Sequence, residues 1–184
     1  MPNQSINIRH DILQDRIVVR VRESVSGNVW ALYLTRRMIC GLLPPLAGLV
    51  QRVQQNAISS TSPWQDSQDE LLSMQLASAV IEIRQSQESA LAQSLPTWPE
   101  NLPHCLPVRV DVSRSNEGIT TLSFFSGEQA EERLFFGDRE LHWFMERLVH
   151  LAQNAGWSEE IPLPNWLSQG TNQVAGVPVT VTLH

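Results

Sequence analysis

The chain has 184 residues, an apolar fraction of 42% and a formal net charge of −6. This length suits one domain, or two small ones sharing a core, and the apolar content is sufficient to build it. All thirteen basic residues are arginine, so a standard phosphate-binding loop, which requires lysine, is excluded. A genome rich in Arg codons accounts for the missing lysines; selection against surface amines is the sharper alternative.

The longest apolar run, MICGLLPPLAGLV at 38–50, is short and broken by Gly and Pro, so no transmembrane helix and no membrane partner are expected. The N-terminus, MPNQSINIRHD, lacks the apolar stretch of a secretory signal, and a cytoplasmic protein is expected. Residues 1–15 are polar with scattered Ile and Leu and suit a short edge strand. In Arg16–Glu23 the alternation is clean. Ile17, Val19 and Val21 take one face; Arg16, Val18, Arg20 and Arg22 take the other. Ser26-Gly27-Asn28 is turn chemistry, and Val29–Leu34 returns as the second strand of a hairpin.

Thr35 is a suitable N-cap for a helix over 36–56. Its apolar stripe is Ile39, Leu42, Leu43, Leu46, Leu49, Val50 and Val53. Gly41, Pro44 and Gly48 fall together on another face, where another helix could approach closely, within the fold or across a dimer. Pro44 removes a backbone hydrogen bond and predicts a kink. Residues 57–65 read as a linker, and Ser67 with Glu70 as a capping box opening a long helix over 68–95. Within that helix AVIEIR has enough β-branched character to be a strand instead.

Residues 96–107 contain four prolines and read as an extended connection rather than a folded element. Val108, Val110 and Val112 then alternate with Arg109, Asp111 and Ser113, and Thr120–Ser126 and Arg133–Phe136 complete a meander. Asp138 is the expected cap of a helix over 139–155, stopped at Gly156. A tail with Trp157 and Trp166, a polar loop SQGTNQ, and a last strand over Val177–Leu183 follow; Pro178 places that strand at an edge or a strand start.

The expected fold is therefore α+β: two strand-strand-helix lobes, each an antiparallel sheet plus helix, joined by a long helix and a Pro-rich linker. The divisions are a basic ββα lobe at 1–60, the helix and linker at 61–107, and an acidic meander-helix lobe with its C-terminal strand at 108–184, together one compact domain. Residues 1–60 hold seven arginines against three acids, and residues 61–184 hold six against sixteen.

No cluster declares a reaction. Cys40, in an apolar helix, reads as a small core residue; Cys105, in the Pro-rich segment, reads as exposed; neither joins a zinc-type pair. His142, Glu146 and His150 have metal-like spacing, but their face lies opposite the helix's apolar stripe, which reads as a solvated row. No metal, cofactor or catalytic residue is expected, and an enzyme ranks third among the functional readings.

The leading reading is a non-catalytic scaffold, adaptor or assembly subunit of a bacterial complex. It would act through protein contacts as a homodimer or in a hetero-complex. Its candidate interface residues are Gly41, Pro44, Gly48 and the loop tryptophans Trp64, Trp98, Trp157 and Trp166, for which burial as core cover is the plainer explanation. The alternative is single-stranded nucleic-acid binding through Arg16, Arg20, Arg22, Arg36 and Arg37, with Trp30 and Tyr33 for stacking. The run RIVVRVRE, then LYLT and a helix, resembles the organisation of PUR-repeat and Whirly-type single-strand binders. That resemblance implies phosphate contacts on an open sheet, which the net charge of −6 opposes. The stretches DRIVVRVRES and ALYLTRR are also similar to small bacterial proteins, with no function implied.

Overall fold

A computed structural model describes residues 4–57, 66–91, 98–99, 101–128, 132–157, 159, 161–172 and 180–183. The elements are β1 (Gln4–Asp11), β2 (Arg16–Glu23), β3 (Val29–Thr35), α1 (Arg36–Ala57), α2 (Asp66–Leu91), β4 (His104–Cys105), β5 (Arg109–Arg114), β6 (Thr120–Phe125), β7 (Glu132–Phe136), α3 (Asp138–Asn154), α4 (Asn165–Asn172) and β8 (Thr180–Leu183). The fold is α+β, with one sheet in the order β4-β3-β2-β1-β8 and another in the order β5-β6-β7.

The first sheet grows from the β2 alternation. Ile17, Val19 and Val21 meet Ile6, Ile8, Trp30, Leu32 and Leu34 in register on one buried face. Strand β1 is longer than the polar opening suggested and is interior, paired with β2 on one side and β8 on the other. The Pro-rich connection also contributes to the sheet: β4 runs parallel to β3, and Ala31 N–H donates to Pro103 O at 2.9 Å. Cys105 is buried there, while Cys40 is only half-buried, the reverse of expectation; neither is in a disulfide.

Thr35 caps α1, its Oγ1 accepting from Met38 N–H at 3.3 Å. Both Pro44 and Pro45 lie within α1. The segment AVIEIR is helical, inside α2, and α2 already includes Ser67, so the expected capping position lies within its first turn. The linker over 58–65, with Trp64, lies outside the described residues.

Helix α3 starts on Gly137 rather than on a side-chain cap. Asp138 is its first residue and instead pairs with Arg114 at 2.8 Å. The helix ends as its sequence foretells. Gly156 takes φ +75°, its N–H donates to Gln153 O, and Trp157 N–H reaches back to Ala152 O. The polar stretch after Trp166 is helical over 168–172, the end of α4, whose Trp166 and Leu167 are fully buried; Gln173 lies outside the described residues. One apolar cluster joins β1–β3, α1, α2, β6, β7, α3 and α4.

Gln4 ties the two sheets. Its side-chain Nε2 donates to Arg133 O and its Oε1 accepts from Phe135 N–H, both at 3.3 Å. The side-chain amide thus stands in for a neighbouring strand along the outer edge of β7. Gln4→Ala leaves those two backbone groups unsatisfied near a buried position, and urea unfolding should report a loss of about 1–3 kcal/mol. An unchanged urea midpoint would show that the two bonds contribute nothing.

Candidate interaction surfaces

The outward face of the five-stranded sheet carries the arginine row. Cross-strand register sets Arg16 between Asp11 and Thr35, Val18 between Arg9 and Tyr33, and Arg20 between Asn7 and Ala31. Arg22 lies between Ser5 and Val29. Paired residues project to the same side of a sheet, so Arg9, Arg16, Arg20, Arg22 and Tyr33 share one surface. Among the described residues, Arg9, Arg16 and Arg20 make no ion pair. Burial, and then repulsion from Arg9, holds the Arg20 guanidinium below its ordinary pKa, with Tyr33 opposing. The surface therefore carries positive charge that its near neighbours do not neutralise.

Trp30 does not belong to it. It pairs with Val21, faces the core and is 4% exposed. A side-chain period of two puts residues 30 and 33 on opposite faces, so the strand alternation itself separates them. Tyr33 makes an edge contact with His104 at 5.2 Å between ring centroids. The Arg22 guanidinium sits over the half-buried Trp98 ring at 5.4 Å. Arg36 and Arg37 begin α1, half-buried and exposed respectively. Arg9 and His104 join this surface although no pattern in their own segments marked them.

The proposed interface residues divide. Trp157 and Trp166 are core side chains, as their general tendency to burial suggests. Gly41 is exposed, and a Cβ built on it would meet nothing within 4 Å, so among the described residues no other helix approaches it closely. Gly48 and Pro44 are half-buried, and the nearest neighbour to a Cβ at Gly48 is its own helix's Arg52. Beside Gly41, a groove of about 530 Å³ runs between α1 and β5, lined by Met38, Pro45, Leu106, Val108 and Val112 among others.

Two of the three residues in the polar row on α3 are not solvated, and the third, His150, is half-buried. His142 and Glu146 are 7% and 3% exposed, and the neighbouring Arg147 is also buried. Helices α2 and α4 pack on the side of α3 that a single-stripe projection leaves open. His142 Nδ1 donates to Asp138 O at 2.7 Å, while among the described residues its buried Nε2 has no hydrogen-bond partner, nor has the indole Nε1 of Trp166, 6.4 Å away between rings. Among the described residues, no three His, Cys, Asp or Glu side chains converge as metal ligands would.

His142 also borders a cleft of about 480 Å³ between α1, α2 and the start of α3. Its walls are apolar, with Leu49, Val53, Leu71 and Met74. Its charged groups are already matched in the ion pairs Arg114–Asp138 at 2.8 Å and Arg139–Glu82 at 3.3 Å. It offers a ligand little unspent charge, unlike the arginine face. No helix among the described residues is long and apolar enough to cross a membrane.

No known protein family, no curated protein and no solved structure matches this chain.

Burial pushes the His142 imidazole below its ordinary value of 6.5, outweighing its backbone hydrogen bond. The unfolded chain then takes up a proton that the native state refuses, so stability should fall as pH drops below 6.5, until the native imidazole also protonates. Urea midpoints measured across this range should slope less in His142→Gln than in the wild type. Parallel slopes would show that His142 is not the group responsible.

Proposed function

We propose that this protein is a non-catalytic, cytoplasmic protein-binding or assembly subunit. Its outward sheet face would dock on an acidic surface of a partner protein. The observation that carries this reading is the set of Arg9, Arg16 and Arg20 on one face, without ion-pair partners among the described residues. Arginine is suited to such a role. Its planar fork binds carboxylates bidentately and loses less hydration than an ammonium. Val18 and Ala31 lie buried between these side chains but outside the main core cluster, giving the face a small apolar centre inside a charged rim.

A second reading, single-stranded nucleic acid on the same face, is favoured by one feature, Tyr33 beside Arg20. It is the weaker of the two. Trp30 is in the core, and Tyr33 and Trp98 already contact His104 and Arg22. A stacking platform needs free ring faces. The net charge of −6 also disfavours long-range capture of a polyanion.

The test is the variant Arg9→Ala/Arg16→Ala/Arg20→Ala against two immobilised probes, a polyglutamate peptide and single-stranded oligonucleotides. The protein-docking reading expects wild type to hold the acidic peptide and the variant to lose it, with no retention on single strands at ~0.15 M salt. Retention on single strands that survives this salt and disappears in the variant would reverse the order of the readings. In that case the salt slope should become shallower by up to ~0.7 per lost contact. Indifference of the wild type to both probes would remove the face as a docking site.

A further inference from the structure

The two sheets have four edges, and three are protected. Strand β4 is two residues long and β8 four, which leaves little backbone to pair. The edge of β7 is occupied by the Gln4 amide. Strand β5, six residues long, is the exception.

The direction of its free groups follows from the adjoining turn. Ser115 N–H donates to Ile119 O, closing the β5-β6 hairpin. Alternation along an antiparallel ladder then turns the backbone groups of Asp111 and Ser113 toward β6, and those of Val110 and Val112 outward. Neither Val110 nor Val112 has another backbone partner among the described residues. Apolar side chains cluster along the same edge: Val108 is 73% exposed, Leu106 40% and Val112 37%. An open edge lined with exposed aliphatics is the arrangement that natural sheets avoid unless something pairs with it.

The charges on β5 indicate what pairs. We propose that β5 is a homodimer interface in which two copies pair antiparallel about a two-fold axis at Val110, fusing the three-stranded sheets into one of six. In this register Val110 faces Val110 of the second copy, and Val112 lies opposite Val108, which precedes the strand and whose own N–H donates to Phe125 O at 2.8 Å. Arg109 faces Asp111, in both directions. Arg109 and Asp111 already pair within one chain at 3.3 Å, and this register joins the two pairs into a cluster of four alternating charges. The backbone contributes two hydrogen bonds between the Val110 residues and two more from Val112 N–H to Val108 O. The competing registers lack this match. Centring on Asp111 sets Asp against Asp, which is destabilising, and centring on Val112 leaves Arg109 opposite Ser115.

The groove fits the same geometry. The valines of the second copy project on the α1 side of the sheet, where Gly41 leaves open space and Met38, Pro45 and Leu106 form apolar walls. The interface is isologous and so closes at two copies. It is separate from the arginine face, and the two proposals stand or fall independently.

The experiment is sedimentation of the full chain at micromolar concentration, with charge reversal at the paired positions. Wild type should sediment at twice its 20.7 kDa chain mass. Arg109→Asp alone, and Asp111→Arg alone, should each be monomeric, because each sets like charges across the axis. An equimolar mixture of the two variants should recover the dimer, and so should the double variant Arg109→Asp/Asp111→Arg. Neither recovery follows if these residues only stabilise their own chain. Val112→Pro gives an independent check. It removes an N–H that β6 does not use, so circular dichroism should be unchanged while the dimer is lost. A wild-type monomer, single variants that remain dimeric, or a mixture that fails to recover would each overturn the proposal.

Discussion

The burial of α3 on nearly every side is the constraint around which the molecule is arranged. Leu141, Trp143, Phe144, Met145, Leu148 and Val149 are all buried, together with His142, Glu146 and Arg147. A helix with so little exposed surface must be covered by separate layers. Contacts with β1, β2, β7 and α1 occupy part of its circumference, and α2 and α4 occupy the rest. The chain reaches this arrangement by bringing its ends together, since β8 completes the sheet that β1 began. Electrostatic cost follows from the same burial. A polar side chain on α3 must find a partner inside the protein or remain neutral, and His142 is held toward its neutral form.

Much of this was legible in the sequence wherever the interaction is local. Strand β2 and its hairpin partner follow from period-two alternation and the Ser-Gly-Asn turn. The cap at Thr35 and the stop at Gly156 follow from side-chain and backbone chemistry within a few residues. What escaped was set by distant segments. No pattern in HCLP announces a strand, because β4 exists only through its pairing with β3. The α4 stretch is polar around Trp166 and Leu167, and its helix is stabilised by packing on α2 and α3 rather than by propensity. The solvated reading of His142 and Glu146 failed for the same reason: a helical projection identifies one apolar stripe but cannot show a second layer behind it.

The candidate site shows the same division at smaller scale. The grouping of Arg16, Arg20 and Arg22 was visible in β2 alone. The inclusion of Trp30 disregarded the parity of β3, an error the sequence itself could have corrected. Arg9 and His104 entered through pairing with neighbouring strands, which requires the register. The tryptophans likewise followed burial rather than position in a loop, with Trp157 held under the α3 C-cap and against His10.

Charge and edge protection together explain why contact surfaces, rather than a pocket, carry the functional argument. The ionic groups bordering the apolar cleft between α1, α2 and α3 satisfy one another across its rim. Among the described residues Arg9, Arg16 and Arg20 of the five-stranded sheet make no ion pair, and the strand ladder holds them at fixed spacing. Such an array costs self-repulsion in the isolated chain: burial first and then repulsion from Arg9 lower the Arg20 pKa. An acidic partner relieves that repulsion without reorganising the sheet, which is preorganisation in the electrostatic sense. The unprotected β5 edge follows a similar logic with backbone groups in place of charges. Its N–H and C=O groups are fixed in direction by β6, so a second strand could add to them with little further ordering of this chain.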